Sequence, residues 1–431
     1  MPYIMTFSIA TLIAVAVACG GQNRDVAQSG VGKTAAVNAQ PLLPRAPEPV
    51  LTELTADEKR FYREMAKKAL AYLNAQYQSA SGLVSATPDW HYTTMWDIGG
   101  QILGYYSARQ LGILTDAEYQ RRMSKTLDML EKMPLYNKVV FSRLYSTKDA
   151  TISNTVGPGW TATDLGRFLI ALKILAARDP KFAAQAERIA RRNDFRLIVK
   201  DGYLYGEEEG RDGKQSTYQE GRIGYEQYVA AGFGLWGANV GNALAFRKNA
   251  RPVQVMGVTL LADSRGQDRL LSEPFILQGI ELGLAADMRD FANSVLEVQK
   301  ARFKSTGQIT MASEDAVAQP PSYFYYYCVY CNGKPFVIDL AAPGQDLDSP
   351  RWVSTKATFG WHALIPSDYT QKAIDYVRPA FDPKRGWASG VFEGSRASTK
   401  TYDVNTAAVL LEIALYQLRG RRPLIEAASI R

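Results

Sequence analysis

Carboxylates and flat aromatic rings recur in this chain just ahead of, or inside the first turn of, its most apolar segments. Trp90, Trp96 and Asp97 stand at one such place, Trp160 and Asp164 at a second, and Glu220, Arg222, Tyr225 and Glu226 at a third. Glu273 follows, then Glu314, Asp315 and Tyr323, then Trp352, then Glu393, Tyr402 and Asp403. Aromatic faces stack on pyranose rings and acids hydrogen-bond hydroxyls. A pair of acids can also break a glycosidic bond, one protonating the leaving oxygen while the other activates water. A single acid at a helix start is more often a cap or a partner of the helix dipole. The recurrence at the same end of successive segments is what that reading leaves unexplained.

Within this set Glu226 is the expected general acid. Gly224-Tyr-Glu-Gln-Tyr228 leads into an apolar run, so the carboxyl enters a buried helix with aromatic neighbours that would raise its pKa. Asp97, or the adjacent Glu314 and Asp315, whose like charges would split their titrations, is expected to position or activate water. Trp90, Trp96, Trp160, Tyr225 and Tyr323 are expected to form sugar subsites, with Arg222 orienting an acid or binding a hydroxyl.

The elements that would hold these residues alternate in polarity. Polar helices are expected at Thr55–Gln78, Thr115–Lys132, Pro180–Asn193, weakly at Asn242–Asn249, Ala286–Arg302 and Ser367–Arg378. Each is followed by an apolar one: Trp96–Leu114, Ala162–Ala177, Tyr225–Gly237, Glu273–Leu284, Thr355–Leu364 and Asn405–Leu418. Ile98, Ile102, Leu103, Tyr106 and Leu111 leave the first of these almost no polar face, so it belongs in an interior. Short strand-like pieces lie between several members, at 82–84, 138–141, 202–205, 257–261, 307–310 and 386–388. Six repeats of about 60 residues, the last without the polar cap of an open array, imply an all-α (α/α)6 toroid of six helical hairpins with short β-like pieces in its loops. Inner helices of such a ring aim their N-termini at one cleft. The long loops Ser142–Thr161, Tyr205–Gly224 and Ala312–Ser354 would supply the rest.

Of the 431 residues, 46% are hydrophobic and 22% charged, as in globular proteins. The net charge of +7 is scattered along the chain rather than gathered in an arm, which argues against a nucleic-acid partner. The two histidines, His91 and His362, argue against a His-rich metal site and against a Ser-His-Asp enzyme. No metal and no cofactor is expected. Residues 1–18 are apolar and uncharged, and Ala16-Val-Ala-Cys19 places small residues before a cysteine, the pattern of a bacterial lipoprotein signal. The absence of Lys or Arg ahead of the apolar run departs from that pattern. The expected organisation is a signal peptide at 1–18, a tether at 19–50 lipidated at Cys19, and a glycosidase-like domain at 51–431, exported and lipid-anchored in the cell envelope. That domain is expected to be monomeric, touching membrane through the lipid alone. Cys328-Val-Tyr-Cys331 is expected to form a short disulfide in an exported protein, and lacks the further ligands of a zinc site.

Several segments together resemble the bacterial family known as domain of unknown function 3131, a glucoamylase-like group. They are Thr94-Met-Trp-Asp-Ile-Gly99, Thr163-Asp-Leu-Gly-Arg-Phe-Leu-Ile-Ala-Leu172, Gly221-Arg-Ile-Gly-Tyr-Glu-Gln-Tyr228, Ser313-Glu-Asp315, Ser354-Thr-Lys-Ala-Thr-Phe-Gly-Trp361 and Arg385-Gly-Trp387. The resemblance implies an (α/α)6 fold akin to the inverting β-1,2-glucanase clan, and work on an envelope or extracellular polysaccharide. It assigns no catalytic residues, and the Cys328/Cys331 pair is not part of it. The expected activity is therefore hydrolysis of a glucan or related bacterial polysaccharide by carboxylate acid/base catalysis, with inversion. A non-catalytic glycan-binding lipoprotein of polysaccharide export or assembly would bind without cleaving. A polysaccharide lyase using His91-Tyr92 would release an unsaturated, ultraviolet-absorbing product.

Overall fold

Many helix starts in this chain are set by side-chain caps. Thr55 with Glu58, and Thr94 with Asp97, close reciprocal capping boxes. Thr115, Thr161, Ser354 and Asp403 each accept a hydrogen bond from an N–H of the turn that follows. The computed structural model describes residues 43, 45–46, 52–155, 157–210, 212–265, 268–320, 322–340 and 350–426. The expected signal segment 1–18, Cys19 and nearly all of the tether lie outside the described residues.

The helices, in chain order, are α1 Ala56–Ala75, α2 Met95–Gln110, α3 Asp116–Lys132, α4 Ala162–Arg178, α5 Pro180–Ala190, α6 Phe195–Ile198 and α7 Tyr225–Gly234. Then come α8 Gly241–Leu244, α9 Glu273–Glu281, α10 Ala286–Thr306, α11 Thr355–Leu364, α12 Asp368–Val377 and α13 Val404–Leu418. The apolar members are the interior. Every residue of α13 from Val404 to Gln417 is buried, and α2 exposes little beyond Asp97, Arg109 and Gln110. α2 packs on α4, α4 on α7, α7 on α9, α9 on α11, α11 on α13, and α13 back on α2, so these six close a ring. Small residues permit the close approach. A Cβ on Gly166 of α4 would overlap Val229 of α7, and one on Gly99 of α2 would sit 3.2 Å from the Phe168 backbone. The amphipathic helices lie outside, α1 against α13 and α2, α3 against α2, α5 against α4 and α12 against α11. Beside α7 the outer layer thins to α8 and a 3-10 turn at Phe246–Asn249, where only a weak helix was expected.

The architecture is a helical toroid, but all-α is too narrow a description. Glu314–Gln319, Ser322–Cys331 and Lys334–Leu340 form an antiparallel three-stranded sheet, and Ala250–Val255 pairs with Val258–Asp263. Tyr203–Glu209 pairs with Gln215–Gln219 and with Gly159–Trp160. The loops concerned are rich in Tyr, Phe and Val, which suit a half-buried pleated surface, and are too long to stay unstructured. The strand-like pieces expected at 82–84 and 138–141 reduce to single bridges at Val84 and Val140. Cys328 and Cys331 carry free, buried thiols, not the expected disulfide. Both sit on the strand Ser322–Cys331, opposite Val337 and Lys334 in one continuous register, so the segment between them is extended where a short disulfide needs a turn.

Candidate active site: a carboxylate cluster at the N-terminal end of the ring

The first turns of the inner helices bring acids from five elements into one neighbourhood. Glu273 opens α9 and is 2% exposed. Its Oε2 lies 2.7 Å from Lys356 Nζ in the first turn of α11, and its Oε1 accepts a 2.7 Å hydrogen bond from Asn405 Nδ2 in the first turn of α13. Lys356 Nζ also lies 3.3 Å from Asp315 Oδ1 and donates to the Glu314 carbonyl oxygen. Trp352 Nε1 donates to Asp315 Oδ2 at 2.8 Å. Thus Glu314 and Asp315, which begin the three-stranded sheet, are pinned to α11 by one buried ammonium. Burial works against the Lys356 charge, but the Asp315, Glu273, Asp403 and Glu314 carboxyls hold its pKa above the ordinary value.

Each carboxyl has its own surroundings. Glu314 is raised by burial and by the Glu273 anion, and the Tyr225 hydroxyl lies beside it without a hydrogen bond of good geometry. Asp315 is pushed up to about 7 by burial, against the pull of Lys356. Asp97 reaches about 6 through burial, with Asp403 raising it further and its Thr94 hydrogen bonds opposing. Only Asp97 Oδ2 is engaged by Thr94, so Oδ1 remains for a water or hydroxyl. Asp164 rises to about 7 from burial, the Glu220 charge and the Asp97 charge. Asp403 caps α13 through Thr406, and burial raises it too. Deeper in the ring, Arg167 lies among Glu281, Glu412 and Asn405 with its guanidinium 4.8 Å from the centre of the Trp96 ring.

The sequence-expected residues divide into those brought together and those held apart. Asp97, Glu314, Asp315, Trp96, Arg222 and Tyr225 meet. Arg222 lies 4.7 Å from the Tyr225 ring and 5.8 Å from the Tyr326 ring, and donates to Thr163 Oγ1 at 3.3 Å. The Trp96 indole packs 6.0 Å from Tyr225, and its buried N–H has no hydrogen-bond partner among the described residues. Tyr323 stands at the rim, its hydroxyl raised to about 12 by burial and by Asp403. Trp90 is half-buried against Tyr92, with ring centres 5.2 Å apart. Glu226 is elsewhere: Arg265 Nη2 lies 2.6 Å from its Oε2, and Gln219 Nε2 donates to its Oε1 at 2.8 Å. Burial raises it to about 7 against the Arg265 charge, as expected for its setting, yet it is locked in an ion pair shared with Asp263. Trp160 is 2% exposed, its N–H donating to the Tyr205 carbonyl oxygen at 3.2 Å, and it serves as core. Glu220 caps α4 by accepting from the Ala162 and Thr163 N–H groups at 2.6 and 2.9 Å.

Sequence reasoning missed Lys356 and Asn405, and named Glu273 and Asp403 only among many. The available signal was polarity out of place: α11 and α13 are mostly apolar, yet carry a lysine and an asparagine in their first turns. Among the described residues no group of three or more His, Cys, Asp or Glu side chains is arranged to hold a metal ion. What the arrangement offers is a set of buried carboxyls with raised proton affinity, a fixed cation, and aromatic rings around them.

Solved structures of the same fold include a presumptive glucoamylase from Bacteroides caccae, with TM-score 0.63 at 13% identity over 84% of this chain and 94% of that one. An endo-β-1,2-glucanase from Chitinophaga pinensis in complex with sophorotriose and glucose gives 0.60 at 11% identity over 85% and 94%. An endo-β-1,2-glucanase from Talaromyces funiculosus in complex with sophorose gives 0.56 at 12% identity over 84% and 86%. Identities this low speak for the fold alone. A comparison with curated proteins gives no match. A family model described as protein of unknown function (DUF3131) matches residues 64–420, the whole ring with its site loops, and the chain belongs to that family.

Proposed function

We propose that this chain is an exported glycoside hydrolase that cleaves a glucan at the N-terminal end of an (α/α)6 ring of six hairpins, the fourth with a reduced outer member. The observation that carries the reading is the convergence of Asp97, Asp164, Glu314, Asp315 and Asp403 at one end of the ring, each raised by burial and each with different charged neighbours. In this reading Glu314 is the general acid: burial, and after it the Glu273 carboxyl fixed beside it by Lys356 and Asn405, raise its proton affinity so that it keeps a proton near neutrality. The Glu314 proton passes to the glycosidic oxygen as the C–O bond breaks. Asp97 takes a proton from water at its free Oδ1, and that water attacks the anomeric carbon from the opposite face, inverting it. Tyr323 and Tyr326 supply stacking faces, backed by the buried rings of Trp96 and Tyr225, and Arg222 a hydroxyl contact. Glu226, the acid expected from sequence, becomes a structural partner of Arg265.

Likeness of fold to β-1,2-glucanases guides the choice of substrate. Purified protein is to be incubated with β-1,2-, β-1,3-, β-1,4- and α-1,4-glucans, with reducing ends and product anomers followed by NMR. Release of product of inverted configuration from one of these supports the reading. Binding without product from any of them would favour a glycan-binding protein instead, and an unsaturated product would favour a lyase. Export and lipidation at Cys19 are proposed on the residues alone; labelled fatty acid should enter the wild type and not Cys19→Ser.

A further inference from the structure

The opposite end of the ring carries different chemistry. A recess of about 440 Å³ lies there between the C-terminal ends of α2, α4 and α13, lined by Arg63, Tyr106, Gln110, Leu111, Arg178, Leu415, Leu418 and Arg419. Among the described residues no carboxylate lines it. Arg63 and Arg178 each give one N–H to a backbone carbonyl, of Leu111 at 3.0 Å and of Leu424 at 2.7 Å, and none of the three guanidiniums makes an ion pair among the described residues. Each retains further donors in its planar fork. The crowding has a cost: Arg419 is pulled down by burial and by its neighbours Arg178 and Arg422.

Arginines near helix C-termini also offset the helix dipole, and magnitude decides whether that is all they do. Three helix ends contribute about half a negative charge each, roughly −1.5 in total, against three full positive charges. The surplus is what an anion would neutralise. We propose that this recess is a binding site for a phosphate-type oxyanion, held by Arg63, Arg178 and Arg419 with the Tyr106 hydroxyl and Gln110 amide as further donors. The chain ahead of the ring also meets the molecule at this end, since Ala46 N–H donates to Asp290 Oδ1 at 2.8 Å in the first turns of α10. A lipid headgroup and free phosphate are thus both sources of the same chemistry.

The test uses the full chain and Arg178→Gln/Arg419→Gln. Inorganic phosphate, titrated against chloride at matched ionic strength, should raise the wild-type melting temperature saturably, and the variant should bind at least tenfold more weakly. Vesicles of phosphatidylglycerol and of phosphatidylcholine are pelleted with the protein in parallel. Pelleting with the anionic vesicles only, suppressed by phosphate, assigns the site to a headgroup, whereas phosphate binding without pelleting assigns it to the free anion. Absence of saturable phosphate binding by the wild type, or equal binding by the double variant, overturns the proposal. Because the substituted residues lie at the far end from the carboxylates, glucan cleavage by the variant separates this failure from failure of the hydrolase reading.

Discussion

The two ends of one ring are built from the same helices and differ in sign. At the N-terminal end acids outnumber bases and a buried lysine is surrounded by carboxyls; at the C-terminal end arginines gather without an ion pair among the described residues. Part of this follows from the backbone, since helix N-termini favour anions and C-termini favour cations. The difference in burial does not. Glu273, Asp315 and Lys356 are each 2% exposed or less, whereas Arg63 and Arg178 are exposed. Dipole compensation needs no burial. Burial raises the proton affinity of Asp315 against the pull of Lys356, and buried groups perturbed in this way are found more often at functional sites than elsewhere.

The comparison can be broken or sharpened by substitution at each end. The largest effect on stability is expected from Lys356→Met, which leaves Glu273 and Asp315 without their cation and should cost about 3–5 kcal/mol in urea unfolding. Glu226→Gln should cost less, about 1–3 kcal/mol, because Arg265 keeps Asp263. It should also retain at least a tenth of the cleavage rate, which an acid catalyst would not. Asp164→Asn gives a pH-dependent change. With its pKa raised to about 7, folded Asp164 keeps a proton that the unfolded side chain, near 3.9, has released; the stability this contributes is present at low pH and lost as pH rises from about 4 through 7. The variant should therefore melt higher than wild type at pH 8 and close to it at pH 4. The smallest effect is expected at the other end, where Arg419→Gln should change stability by less than about 0.5 kcal/mol in the absence of phosphate.

Much of this architecture was legible in the residues. The six apolar helices stand close to where their periodicity put them, and Thr94-Met-Trp-Asp97 did place an acid and a ring at the mouth of the ring. The strands were under-read because the long aromatic loop 312–354 gives no helical period and a β-ladder needs a distant partner to declare itself. In sequence, burial alone looks alike for a catalytic acid and for one closed in an ion pair; the Arg265 that pairs with Glu226 is 39 residues away, and its contact is tertiary. Lys356 was missed for a similar reason. Its charge in a mostly apolar helix could be noticed, but the acids from α9 and the sheet that it pairs with are tertiary contacts.

The central claim is that the cluster around Glu314, not Glu226, holds the proton that breaks the bond. Reducing-end release from the glucan that the wild type cleaves, measured from pH 4 to 9 for Glu314→Gln and Glu226→Gln side by side, tests it most directly. The wild type should rise through about pH 6 as Asp97 ionises and fall at higher pH as Glu314 loses its proton. Glu314→Gln should lose about a thousandfold or more while still binding oligosaccharide, as expected for removal of a general acid. Wild-type turnover by Glu314→Gln, with loss confined to Glu226→Gln, would contradict the account.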